Sequence, residues 1–321
     1  MPYSTYAAAG KNKIINGDFN IWQRGTSFSP PGAGTYTSDR WRTFYTTAVP
    51  TTYVVSRETF TPGSEPVSGY NSPYFWRGVL TTLGAATEVG VQQRIEDVGT
   101  FANTTVTVSF YAKSDTTRTQ SVSGNQNFGS GGSAGVGLTT QTITTTSSWQ
   151  RFSLQFAIPS ISGKTIGANS YIQINIIQNL TNGNTLDIWG VQVEAGSNMT
   201  AFQTATGNPA SELAACMRYC EKIELASGVP LVTGQAYSTS AAWAGISWTT
   251  QKRTTPTITQ TGTIQALQSN TGTSGTTFAY TTLSTNYARM EHSGGSGLVA
   301  GNASLFQATS GAASLLITAE L

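Results

Sequence analysis

Apolar and polar residues alternate with a period of two along most of this chain, in short runs closed by turn residues, the pattern of half-buried β-strands. In residues 104–114, Val106, Val108, Phe110 and Ala112 share one face, and Thr105, Thr107, Ser109 and Tyr111 the other. Residues 149–158 repeat this with Phe152, Leu154, Phe156 and Ile158 inward, and Pro159 then ends the ladder. The run 171–178 does so with Ile172, Ile174 and Ile176, and 186–194 places Trp189, Val191 and Val193 on one side. Further strands are predicted at 40–45, 52–59, 74–80 and 89–95. Short strands at this spacing, without helices between them, predict an all-β sandwich of jelly-roll type.

One segment has a different period. In NPASELAACMRYCEKIELASG, Leu213, Cys216, Met217 and Cys220 fall at i, i+3, i+4 and i+7, one apolar stripe on a helix. Asn208 and Pro209 supply an N-cap and first-turn pair, Glu212 suits the first turn, and Gly228 stops the helix. Strands resume at 242–250, 257–266, 277–283, 303–308 and 314–321. The Gly-, Ser- and Thr-rich stretch 121–148 reads as long loops or a weak polar hairpin. The expected organisation is an N-terminal arm (1–11), a jelly roll (12–206), a linker helix (207–228) and a C-terminal β-sandwich (229–321), so two β-sandwich domains joined by one short helix.

Composition narrows the function classes. The chain has 321 residues, 38% of them hydrophobic and only 10% charged, against roughly 25% in an average domain. The formal net charge of +2 gives no field for steering onto phosphates, which argues against nucleic-acid binding. No apolar stretch approaches the roughly 20 residues of a membrane helix, and MPYSTYAAAGKNK lacks the apolar centre of a secretion signal. The one histidine, His292, sits in the Gly-rich run HSGGSG and reads as a loop residue, so neither a His-based metal site nor a Ser/His/Asp triad is expected. Cys216 and Cys220, four apart in the predicted helix, read as buried free thiols rather than a disulfide.

The candidate chemistry is recognition rather than catalysis. Trp22, Trp41, Tyr45, Tyr70, Tyr74 and Trp76 cluster early in the chain with Arg24, Arg40 and Arg42 interleaved. Aromatic faces with Arg forks suit sugar rings and hydroxyls; the same aromatics also suit a sandwich core. Glu88, Glu96 and Asp97, then Glu58 and Glu65, are the acids nearest to a glycosidase pair. They read as solvated or Arg-paired, Arg94 being the partner for Glu96 and Asp97, so no catalytic residue is expected. The stripe Leu213, Cys216, Met217 and Cys220 reads as a trimer seam or as packing onto the second sandwich. The arm MPYSTYAAAGK reads as a segment that orders against another protein.

Several motifs occur together in a recognisable order: NKIINGDFNIWQRG from Asn12, SDRWR from Ser38, QQRIEDV from Gln92, VSFYAKSD from Val108, SWQRFSLQFAIPS from Ser148 and WGVQVEAGSNMTAFQ from Trp189. This order resembles the carbohydrate-binding-module-like jelly roll of bacteriophage tail-fibre and other virion proteins. SELAACMRYCEK is similar to the linker helix that follows that domain, and TTPTIT and LLITAEL are similar to their C-terminal strands. The resemblance implies a virion protein, homotrimeric, anchored to other virion proteins through its arm and contacting host surface polysaccharide. A capsid-decorating, head-fibre or tail-adaptor role is the alternative. Such modules commonly carry Glu after the NGDF turn, as part of a calcium site with an Asp on the last strand; here Asn20 stands there. Asp18 and Asp187 alone are too few for an ion taking six to eight ligands, so no metal or cofactor is expected.

Overall fold

The computed structural model describes residues 10–70, 72–268, 271–275, 278–309 and 311–321. Most of the predicted arm, residues 1–9, and the start of the strand predicted at 277 lie outside the described residues. The chain divides into two compact units, Met1–Ala215 with Leu321, and Cys216–Glu320. Each is an antiparallel β-sandwich, and the chain passes between them through one short helix.

The first unit contains Ser27–Phe28 (β1), Trp41–Thr46 (β2), Thr52–Thr59 (β3), Tyr74–Thr82 (β4), Glu88–Glu96 (β5), Thr104–Ser114 (β6), Arg118–Asn127 (β7), Val136–Thr145 (β8), Gln150–Ile158 (β9), Tyr171–Ile177 (β10) and Asn184–Ala195 (β11). One sheet runs β1-β3-β4-β11-β6-β9 and the other β2-β5-β10-β7-β8. Their inward residues form one core: Val55, Leu80, Val106, Val108 and Phe110 from the first face Trp41, Val89, Val91, Ile172 and Ile174 from the second. The stretch at 121–148 falls largely in a hairpin, β7 and β8, because Gln120 and Gln126 are buried with their amides donating to Thr145 and to the Pro159 carbonyl.

The alternation predicted for β11 breaks at one point. Ile188, Val191 and Val193 enter the main core, but Trp189 faces the opposite side, against Phe60, Phe75 and Phe202. The register shifts between Trp189 and Gln192, with Gly190 at φ 66°, so this is a β-bulge that resets which side each residue faces. The bulge also frees the Val191 backbone. Its N–H donates to the Gly17 carbonyl and its carbonyl accepts from Asn12 Nδ2, which ties the N-terminal turn to the sheet.

The helix α1 spans Pro209–Met217, capped as predicted: Asn208 Oδ1 accepts from the Ser211 N–H at 2.9 Å. It stops well short of 228, and the apolar stripe is buried only in part. Leu213 is 37% exposed, Cys216 is buried, Met217 is half-buried, and Cys220 is buried on a strand. Glu212 turns inward instead because three donors satisfy its carboxylate, which carries the next residue, Leu213, outward. The chain leaves the helix because the strand Ala313–Thr318 requires neighbours on both edges, and Cys220–Leu225 supplies one of them.

The second unit contains Cys220–Leu225 (β12), Pro230–Ala236 (β13), Ala242–Ser247 (β14), Thr257–Thr261 (β15), Ile264–Gln268 (β16), Thr271–Gly275 (β17), Ala279–Thr281 (β18), Tyr287–His292 (β19), Ala303–Ala308 (β20) and Ala313–Thr318 (β21). A sheet β12-β21-β15 faces a sheet β17-β16-β20-β13-β14-β19-β18 across a core that includes Leu225, Leu315, Ile317, Ile246, Met290 and Phe306. His292 is not a loop residue: it ends β19, buried, with its ring 5.0 Å from Phe278, and burial lowers its pKa. Both cysteines are buried thiols outside any disulfide. Among the described residues no helix is long and apolar enough to cross a membrane.

Candidate functional site

The first unit holds a cavity of about 300 Å³ lined by Asp18, Asn20, Tyr70, Thr204 and Glu212 together with the start of α1. Its first wall is the turn after Ile14. Asn16 fixes that turn with both ends of its amide: Nδ2 donates to the Ile21 and Asp39 carbonyls and Oδ1 accepts from the Ile21 N–H. Phe19 then enters the core, 4.9 Å from the Trp41 ring, while Asp18 and Asn20 on either side of it line the cavity. The opposite wall is the N-terminal turn of α1. Glu212 Oε1 accepts from the Asn16 N–H at 2.6 Å, and Oε2 accepts from the Thr206 N–H and hydroxyl at 3.1 and 2.7 Å. Tyr70 closes a third side, its ring 5.3 Å from both Trp189 and Phe202 and its hydroxyl donating to Asp18 Oδ2 at 3.3 Å.

The two carboxylates are not equivalent. Asp18 Oδ2 accepts from Asn20 and Tyr70, whereas Oδ1 is buried with no hydrogen-bond partner among the described residues. Burial first, and then the charge of Glu212, push the Asp18 pKa up to about 6. The Tyr70 phenol is raised as well, by burial and then by Asp18. A carboxyl whose folded pKa lies above its unfolded value holds its proton longer when folded, so stability falls as pH rises from about 4 through about 6. The cost above that window is on the order of 3 kcal/mol. Asp18→Asn is therefore expected to raise the melting temperature at pH 7 and leave it unchanged near pH 3.5. Equal shifts at both pH values would show that the Asp18 charge is not the cause.

Of the nine residues proposed from sequence as a glycan patch, Tyr70 alone lines this cavity. Trp22, Trp41 and Trp76 are buried in the main core, where they serve packing and offer no face to a sugar. The indole N–H groups of Trp22 and Trp41 donate to the Phe19 and Asn16 carbonyls, at 2.6 and 2.9 Å. Arg24 stands 3.8 Å from Asp39, Tyr45 packs edge-on to Tyr53 at 5.9 Å, and Tyr74 lies under the Arg57 guanidinium at 4.0 Å. Arg94 finds an aromatic partner. It stacks over the Tyr171 ring at 4.3 Å, since Tyr171 is level with Glu96 on the adjoining strand, and Asp97 Oδ1 instead accepts from the Gly99 N–H. Asp187 is taken by Arg77, at 2.7 and 2.8 Å, and by Lys113 at 3.5 Å, a cation-saturated carboxylate rather than half of a calcium site. Among the described residues no group of three or more His, Cys, Asp or Glu could hold a metal ion.

Sequence reasoning missed Glu212, Asn20 and Thr204 as partners of Tyr70. The readable signal was small: an acid in the first turn of the helix reads as a helix-end charge, and Asn20 as a turn residue. It also missed a pair of exposed aromatics on the second unit. Trp243 is 37% and Tyr287 48% exposed, with Arg289 4.9 Å above the Trp243 ring, paired to Glu291 at 2.6 Å.

No family model and no curated protein matches the chain. Solved structures with a similar fold include an arabinose-bound GH51 α-L-arabinofuranosidase, at 13% identity and TM-score 0.38, covering 65% of this chain and 30% of that one. A family 11 carbohydrate-binding module from Clostridium thermocellum, in complex with a β-1,3-1,4-mixed-linked tetrasaccharide, matches at 13% identity and TM-score 0.32, over 55% of this chain and 98% of that one. The enzymatically active domain of tailspike protein 4 from bacteriophage CBA120 matches at 16% identity and TM-score 0.35, over 58% of this chain and 22% of that one.

Proposed function

We propose that the protein is a virion component that binds host surface glycan non-covalently, a tail fibre or receptor-binding protein, with the Tyr70 cavity as a sugar site. The observation that carries this is the chemistry of the cavity: one aromatic ring beside a carboxylate, an amide and a hydroxyl, from Asp18, Asn20 and Thr204. A few convergent polar groups with an apolar wall are what a small-ligand site requires, and sugars present both hydroxyls and carbon–hydrogen faces. The ordered motifs from Asn12 to Gln203 and their likeness to virion jelly rolls support the virion setting. On this reading the chain works as a homotrimer, and its first eleven residues anchor it to other virion proteins.

The experiment is binding of the purified chain to immobilised envelope polysaccharide from a host that the virion infects. Tyr70→Ala is expected to weaken binding about tenfold, near 1.4 kcal/mol, the scale of one aromatic contact. A parallel thermal melt establishes that the variant is folded. Unchanged affinity in a folded Tyr70→Ala protein would place glycan contact elsewhere, and no binding by the wild-type chain would reject the function.

A further inference from the structure

The cavity is unbalanced in charge. Two carboxylates line it, Asp18 and Glu212, and among the described residues that line it none is Lys, Arg or His. The partial positive charge at the start of α1 does not correct this, because Glu212 already sits in the first turn of that helix. Glu212 is also chemically spent, since both its oxygens accept from the backbone and hydroxyl donors named above. Asp18 is the carboxylate with capacity left: the residue is 5% exposed, it lines the cavity, and its Oδ1 has no partner among the described residues. A buried carboxylate oxygen without a donor is costly, and a ligand that brings a positively charged donor removes that cost.

Three features then select among sugars. A volume of about 300 Å³ is at the lower end for small-ligand sites, room for a single ring rather than a chain. The Tyr70 ring offers an apolar and cation-attracting face. A primary ammonium carries three donors and no acceptor, which suits a wall whose unfilled positions among the described residues are acceptors: Asp18 Oδ1, and the carbonyl end of Asn20, which accepts from the Ser72 hydroxyl at 3.1 Å. A neutral hydroxyl could donate to the same oxygen but would leave both negative charges uncompensated.

We propose that this cavity selects a sugar unit bearing a free, protonated amine, with Asp18 as the specificity-determining carboxylate; the inference rests on the reading of the cavity as a sugar site. Ammonium binding requires Asp18 ionised. The groups facing Asp18 are Glu212 from α1 and Tyr70 from the loop before β4, and with the Asp18 pKa at about 6 in the free protein, affinity falls as pH drops through that value.

The test uses the full chain with three probes, glucosamine, N-acetylglucosamine and glucose, followed by ligand-observed NMR titration at pH 7 and pH 5. Glucosamine is expected to bind at pH 7 at least about tenfold more tightly than the other two. That advantage should vanish at pH 5 and in Asp18→Asn, a variant that keeps the side-chain shape and is expected to be more stable than wild type at pH 7. Equal affinity for all three sugars at pH 7 would overturn the amine selectivity while leaving the sugar site standing. A glucosamine preference that survives both pH 5 and Asp18→Asn would overturn the role of Asp18. Failure of all three to bind would bring down the sugar-site reading and this inference with it.

Discussion

Lys252→Met is expected to destabilise the second unit by about 3–5 kcal/mol, the cost of leaving a buried carboxylate without its counter-ion. Lys252 and Glu221 are both buried and form a direct ion pair. Lys252 Nζ also donates to the Met217 carbonyl at 2.7 Å and the Thr250 carbonyl at 3.1 Å, and Glu221 Oε1 accepts from the Thr249 N–H at 3.1 Å. Burial lowers the Lys252 pKa even with Glu221 beside it, which shows how much desolvation the pair carries. Replacing both, Lys252→Met with Glu221→Leu, removes the two charges together and is expected to recover at least about 2 kcal/mol of the loss. The deficit that remains comes from the Met217 and Thr250 carbonyls, stripped of a donor. Denaturant unfolding of the two single variants and the double variant measures the coupling directly. Additive losses would mean that the pair is not interacting in the folded protein.

Gly17→Val is expected to cost about 3 kcal/mol or more and to abolish sugar binding in the same variant. The reason is close approach rather than backbone conformation. A Cβ at position 17 would stand 2.2 Å from the Val191 carbonyl oxygen, a backbone atom held at the β11 bulge. The turn must therefore lift away from the sheet, breaking the Val191 N–H to Gly17 carbonyl bond of 2.9 Å and displacing Asp18, the next residue. Gly190→Ala is the milder comparison. Its φ of 66° costs a side chain about 1–2 kcal/mol, and its Cβ would meet the Tyr111 ring edge at 3.1 Å, which can give way. Thermal melts paired with glucosamine titration separate the two. A Gly17→Val protein as stable as wild type would show that the turn does not rest on Val191.

Much of the frame was legible because side-chain alternation is a local property of an extended backbone. Successive Cβ atoms point to opposite faces, so Val106, Val108, Phe110 and Ala112 mark the inward face of β6 wherever its neighbours lie. The predicted strands 52–59 and 303–308 coincide with β3 and β20 for the same reason. The predicted run 257–266, by contrast, is two strands, β15 and β16, that belong to different sheets and are separated at Gly262, whose φ is 75°. Trp189 was assigned to the wrong face for a related reason: one bulge resets the alternation, and the glycine in WGV was its only trace.

The site was less legible because it is made of partners distant in the chain. The Asn16–Glu212 hydrogen bond joins residues 196 positions apart, and the burial of a first-turn acid makes sense only once that bond is seen. Aromatic residues near Arg residues suggested a surface patch, yet three of the tryptophans became core, because composition does not say which face a side chain takes. By itself the sequence determined the all-β character, the inward faces of the regular strands, the helix start at Asn208 and the near-zero net charge, since each follows from neighbouring residues or from totals. Only the tertiary structure decided strand order, the bulge at Gly190, the early end of the helix and the meeting of Asp18, Tyr70 and Glu212 around one cavity. Those depend on which distant backbone groups satisfy one another's hydrogen bonds, and no local pattern encodes that choice.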